Sequence, residues 1–369
     1  MTITHKTTAR QLGAILLLIR LAPMTLTLPN IIGMPSPQGL WITGILGTAI
    51  SLPLLAWMVT LCRAEGLDDV VRISRRLLGT IIGSAVGWLF VLYWLILAGF
   101  ELRSVSEAYL TGAMPETPMW VFTALTALVS AGIARRGMRL IAMMSELVAF
   151  LVLVLVLLTI VLPLDLIDLR NLLPLLPEGL RPLALPTGTA VSLFLDMAVL
   201  MMVAPTVIGG RGLMQGTIWA ALVAGAVLTL LIAAVTAVFG PISTALELPA
   251  LSLSRIVSIG QVIERIELTM MASWTLGVGV ALAALLWAAS VASAHLLGLR
   301  CFEPLVYPLG GLAVFLGMRM WTDVGSFDRS VTAIRATLVT SVFIMVVLVV
   351  LTAASWLRRR TSGDAGGRE

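Results

Sequence analysis

The stretch Val148–Leu162 is fifteen residues long and carries one polar side chain, Thr159. With its flanks it reaches the roughly 20 apolar residues that a helix needs to cross a bilayer core, and comparable runs recur along the whole chain. No water reaches the backbone at that depth, so only helices and closed barrels span a membrane. Barrel strands alternate apolar and polar residues over about ten positions, whereas these runs are continuous. The expected fold is therefore an all-α polytopic membrane protein. Composition agrees: 59% of the 369 residues are hydrophobic and 12% charged, with a mean hydropathy of +1.05, against about 25% charged in a soluble domain. That balance excludes a soluble enzyme, a secreted disulfide scaffold and a disordered chain.

Apolar windows and their polar punctuation give ten spans, at 11–34, 39–62, 79–106, 116–135, 140–163, 184–208, 216–240, 266–295, 303–320 and 331–357. They form one transmembrane domain over 1–357, followed by a short disordered tail at 358–369. The first run follows Lys6 and Arg10, as the core of a signal peptide would. No small-x-small cleavage site comes after it, so it is expected to remain as a helix. With the N-terminus inside, the cytoplasmic segments hold fifteen basic residues, including Arg10, Arg63, Arg72, Arg139, Arg211 and Arg358, while the external segments clearly hold Arg170, Arg181, Arg255 and Arg329. This bias places both termini in the cytoplasm. The net charge of +5 is then a topology signal and an attraction to membrane lipid, with no call for nucleic acid. The external stretches 164–183 and 241–265 mix prolines with leucines and read as short surface helices, candidates for a lid or vestibule.

The spans divide into five and five, a first repeat over about 11–163 and a second over about 184–357. Their first helices enter the membrane in opposite directions, which is the pattern of an inverted repeat with a substrate site between discontinuous helices. In the first half, Pro23 lies mid-span within RLAPMTLTLPN, where it removes a backbone donor and crowds the carbonyl of Ile19. A break there would expose backbone around Ala22, Met24 and Thr25 to a ligand; a plain proline kink fits the same residues. In the second half, Asp196 lies near the centre of TGTAVSLFLDMAVLMMVAPTV with Ser192 one turn before it. A buried carboxylate is costly and marks either a functional site or a lock between helices. Arg20 is its natural complement if it points inward, although a long side chain can also snorkel to the interface.

Other charges carry less information. Glu101 and Arg103 fall near the external end of the third span, within reach of the interface. Glu146 is two turns from Arg139, about 10.5 Å along the helix, so its partner is expected on another helix; a proton-coupling or a structural role fits it. Tyr93 is deep in a span and offers a hydroxyl to a ligand, or packs as an ordinary tyrosine. No phosphate loop, dinucleotide glycine pattern, HExxH or catalytic-triad spacing occurs. No enzyme and no cofactor is implied, and two cysteines and two histidines make a metal site unexpected.

The segments MPETPMW (114–120), GMRLIAMMSEL (137–147), IDLRNLLPLLPEGLRPL (167–183), FLDMAVLMMVAP (194–205), LPALSLSRIVSIGQVIERIE (248–267) and LGLRCFEPLVYPLG (297–310), in this order, resemble the GerAB-type spore germination permeases. These are the integral membrane B subunits of germinant receptors, related to the amino acid–polyamine–organocation transporter superfamily. The resemblance implies a ten-helix, leucine-transporter-like fold in the spore inner membrane, recognition of a small nutrient such as an amino acid, and assembly with A and C subunits. It places Asp196 at a position usually held by glutamate, and Glu146 at the acidic position of the fifth helix. The chain departs from the family at LAPMTLTLP in the first helix, at Met143 and at Ala281. The expected function is a germinant-sensing subunit with its ligand between the first and sixth helices. A proton-coupled amino-acid transporter and a scaffold or ion and water conduit remain as alternatives.

Overall fold

The computed structural model describes residues 6–32, 37–174, 179–246, 248–256, 266–320 and 334–365, without the side chains of 22–32, 266–268, 334–340 and 361–365. Among the described residues the regular elements are all helices. Its α-helices are α1 (Ala9–Ile32), α2 (Leu40–Ala64), α3 (Val70–Gly112), α4 (Met119–Arg135), α5 (Met138–Val161), α6 (Ala184–Leu195), α7 (Leu200–Val203), α8 (Gly209–Phe239), α9 (Pro249–Arg255), α10 (Ile266–Leu297), α11 (Glu303–Arg319) and α12 (Ile334–Ala365). In each of the ten apolar stretches most of the described residues are helical. Seven segments among the described residues are long and apolar enough to cross a membrane, while α4 and α11 have 17 residues each.

The start of α1 is set by its sequence. Thr8 and Gln11 form a capping box: Thr8 Oγ1 accepts from the Gln11 amide at 3.2 Å and Gln11 Oε1 from the Thr8 amide at 3.1 Å, satisfying donors that a helix N-terminus leaves open. One residue earlier, Thr7 pairs with Val207 in a parallel β-bridge. The Thr7 amide donates to Thr206 O at 2.7 Å and the Ile208 amide to Thr7 O at 3.0 Å, so the lead into α1 is tied to the linker that follows α7. Helix α1 then passes through the middle of the bundle, against α5, α6, α8 and α10. Leu12, Ile15, Leu16, Leu17, Leu18, Ile19 and Leu21 are all buried, as expected of a helix that is apolar on every side.

The expected break at Pro23 is not found: α1 is one helix from Ala9 to Ile32. Transmembrane helices tolerate proline where neighbouring groups re-satisfy the freed backbone. The interruption falls instead in the second half, where α6 ends at Leu195, a 3-10 turn runs Asp196–Val199, α7 follows, and a second 3-10 turn runs Ala204–Thr206. Pro205 accounts for the second turn, because it cannot donate into a continuing helix. All of this segment is buried from Phe194 to Ala204.

Helix α3 begins on Asp69, whose carboxylate accepts from the amides of Val71 and Arg72 at 3.1 Å each. It bends at Gly79, where φ is 81° and ψ 173°, a conformation that only glycine adopts readily. The leading piece 70–78 is thereby set apart from the membrane-crossing piece after it. Outer faces of α5, α8 and α12 present Leu147, Phe150, Leu157, Trp219, Leu222, Val346 and Val349, which is the surface that lipid covers. Among its described residues the stretch 164–183 forms three short 3-10 turns, Leu164–Leu166, Leu169–Leu172 and Arg181–Leu183. A 3-10 turn at Gly240–Ala245 and α9 occupy the described part of 241–265. Helix α12 extends to Ala365, eight residues into the stretch read as a disordered tail.

Candidate functional site

Three helices bring the intramembrane charges together. Arg20 of α1 is 0% exposed, so the snorkelling alternative does not hold. Its guanidinium carbon lies 4.8 Å from the centroid of the Phe194 ring on α6, within cation–π range. All three of its nitrogens are buried without a hydrogen bond among the described residues. The carboxylates of Asp196 and Glu101 are near enough to act on it electrostatically, yet neither forms a salt bridge with it. Asp196 sits at the junction of α6 with the 3-10 turn, and its Oδ1 accepts from the Tyr93 hydroxyl of α3 at 2.5 Å. Ser192 is buried one turn earlier on α6. The Tyr93 ring is held from behind by Phe343 of α12 at 5.9 Å between centroids.

Arg20, Tyr93, Ser192 and Asp196 thus come from the elements the sequence singled out, and Arg20, Tyr93 and Asp196 share one buried neighbourhood. The backbones of Ala22, Pro23, Met24 and Thr25 continue α1, and their side chains lie outside the described residues. Two residues join the group that the sequence did not assign to it. Glu101 was placed near the interface but is 1% exposed, with Oε2 unpartnered among the described residues. It stands eight residues after Tyr93, a spacing that returns to one helix face. Phe194 carried no signal at all, since an aromatic residue in an apolar helix is ordinary.

The chemistry of this group is that of a small polar cell in an apolar bundle. It offers one unpaired guanidinium, two carboxylates and a phenol, beside a helix whose hydrogen bonding switches from i−4 to i−3 partners. Mid-helix 3-10 stretches often mark hinges. No group of His, Cys, Asp and Glu side chains among the described residues is placed to hold a metal.

The other expected site residue, Glu146, lies apart. As anticipated, its partners are on another helix: Arg10 Nε at 3.2 Å and Gln11 Nε2 at 3.4 Å, both of α1. Arg103 also departs from expectation; it is buried and pairs with Glu107 one turn on, at 2.5 Å. A further cluster closes the arginine-rich end. Asp69 Oδ2 lies 3.3 Å from both Arg72 Nε and His295 Nδ1, and Arg75 donates to the carbonyls of His295 and Leu296 at 2.9 and 3.2 Å. Burial alone would push the Asp69 carboxyl up. His295 and Arg72 outweigh it and hold the group below its ordinary value.

Comparison with known proteins accords with this architecture. Residues 6–323 match the spore permease family model, described as spore germination protein. The chain is 24% identical over 319 residues to spore germination protein KB of Bacillus subtilis (strain 168), covering 85% of each chain. It is 29% identical over 182 residues to spore germination protein YndE of the same organism, covering 48% of this chain and 50% of the relative. Among solved structures it resembles Mhp1, a nucleobase–cation-symport-1 family transporter in a closed conformation with bromovinylhydantoin bound. The TM-score is 0.62 at 14% identity, over 93% of this chain and 80% of the other, a likeness of fold. On its family match and its transporter-type, all-helical architecture, the chain belongs to the spore germination protein family and is a non-enzymatic, multi-pass membrane protein.

Proposed function

We propose that this protein is the membrane subunit of a germinant receptor and binds a small zwitterionic nutrient, an amino acid by its charge pattern, between α1 and the interrupted α6–α7 segment. The observation that carries this reading is Arg20, a fully buried guanidinium without a hydrogen bond among the described residues, set beside Asp196 and Glu101. A buried unsatisfied donor destabilises by about 1–3 kcal/mol, and a ligand carboxylate would satisfy Arg20 bidentately. The ligand ammonium would lie towards Asp196 and Glu101. The 3-10 turn at Asp196 supplies the element whose two arrangements a ligand can bias. The β-bridge from Thr7 to Val207 would carry that bias between α1 and α7. Both termini then face the cytoplasm, the two groups of five helices form inverted repeats, and A and C subunits in the spore inner membrane read the change.

A second reading, a proton-coupled amino-acid transporter, is favoured by the transporter fold. The test is equilibrium binding of the common amino acids, nucleosides and sugars to the purified chain, followed by uptake of any ligand into proteoliposomes. Binding without uptake supports the receptor, and concentrative uptake by this chain alone supports the transporter. Absence of binding to all of them removes both and leaves the scaffold or conduit.

A further inference from the structure

A cleft of about 420 Å³ opens beside α1, α5 and α8, away from Arg20 and Asp196. Its volume falls in the range of roughly 300–1,000 Å³ typical of small-molecule sites. The wall is mainly apolar, formed by Ala14, Ala149, Leu153 and Trp219. Phe150 and Trp219 line it while being 68% and 44% exposed, so the cleft opens sideways onto the face that lipid covers.

One end of the cleft holds the Arg10–Glu146 ion pair. The Arg10 side chain is 84% exposed and meets Glu146 through Nε at 3.2 Å, while the second Glu146 oxygen accepts from Gln11. The pair carries no net charge, and the exposure of Arg10 leaves its guanidinium accessible to a ligand. Lys6, Arg139 and Arg211 are exposed beside the starts of α1, α5 and α8. The N-terminal ends of these three helices therefore add their positive dipole ends to the same region. Basic pockets between transmembrane helices are suited to anionic headgroups.

We propose that this cleft binds one anionic phospholipid from the leaflet at the arginine-rich end. The phosphate meets the exposed guanidinium of Arg10, and an acyl chain lies along Ala14, Ala149, Leu153 and Trp219. The site is independent of the buried Arg20–Asp196 group, so the failure of either proposal leaves the other standing.

The test is native mass spectrometry of the full chain in detergent, titrated with phosphatidylglycerol and, separately, phosphatidylcholine. One phosphatidylglycerol per chain should be retained in preference to phosphatidylcholine. Arg10→Gln, at a highly exposed position where folding is insensitive, should lower retention at least fivefold. Leu153→Trp, which fills the chain groove without touching Arg10, should do the same. Glu146→Gln frees the guanidinium and should leave retention equal or higher. Equal retention of the two lipids, retention unchanged in Arg10→Gln, or detergent alone in the cleft would overturn the proposal. So would a loss in Glu146→Gln, which would mean that the carboxylate recognises an amine.

Discussion

Replacing Arg20 with methionine should make the ligand-free protein more stable while abolishing its response to ligand. The guanidinium is 0% exposed and its three nitrogens make no hydrogen bond among the described residues. Only the cation is replaced here, so the gain of about 1–4 kcal/mol that follows exchange of a whole buried ion pair for apolar residues does not transfer. With no carboxylate in contact among the described residues, what is recovered is the cost of an unsatisfied buried donor, about 1–3 kcal/mol. Against that stand the Phe194 contact at 4.8 Å, about 1–2 kcal/mol for a desolvated cation–π pair, and the attraction of Asp196 and Glu101, which do not touch Arg20. The net expectation is a gain of about 1 kcal/mol, a rise in Tm of roughly 2–4 °C. Thermal unfolding of wild type and Arg20→Met in nanodiscs, at one fixed scan rate because unfolding of such proteins is commonly irreversible, reads this directly. A fall of several degrees would refute the reasoning, for it would show that Arg20 is a structural lock between α1 and the carboxylates.

Two further outcomes concern the scaffold. Asp69→Asn removes the charge that Arg72 and His295 face and weakens the cap of α3, and should destabilise by about 1–2 kcal/mol at neutral pH. Because the folded-state carboxyl titrates below its ordinary value, this stabilisation is fully present above about pH 5 and is lost as pH falls through the folded value; the Tm gap between wild type and variant should therefore close below about pH 4, and a gap that widens on acidification would contradict the sign. Gly79→Ala forces a side chain into φ 81°, ψ 173° and should lower stability by about 1–3 kcal/mol. An unchanged Tm would mean that α3 straightens without penalty.

Much of the fold was legible because a bilayer allows so few backbone solutions. Runs such as Val148–Leu162 dictate helices whatever their neighbours, and the described residues of the ten apolar stretches are mostly helical. The charges Arg20, Glu146 and Asp196 stood out because an ion in hydrocarbon needs a reason. Glu101 was misplaced because depth was counted from the expected span end at 106. Helix α3 runs on to Gly112, which leaves Glu101 eleven residues, about 16 Å, from its end. The break expected at Pro23 failed for a different reason, and the sequence left one near Asp196 open. Proline at 23 advertises a break that the bundle absorbs, whereas the 3-10 turn at Asp196 keeps right-handed helical angles throughout and requires no glycine or proline to mark it. The stacking of Arg20 on Phe194 depends on how α1 meets α6, which no local pattern encodes.

The most direct test of the buried site is amino-acid binding to the purified protein, by isothermal titration or scintillation proximity, with wild type beside Arg20→Gln and Asp196→Asn. Arg20 is expected to hold the ligand carboxylate and Asp196 its ammonium, each as a charge-assisted hydrogen bond contributing about 1.5–3 kcal/mol. Each substitution should therefore weaken binding by roughly 10- to 150-fold. Affinity unchanged in both variants would contradict a site between α1 and α6.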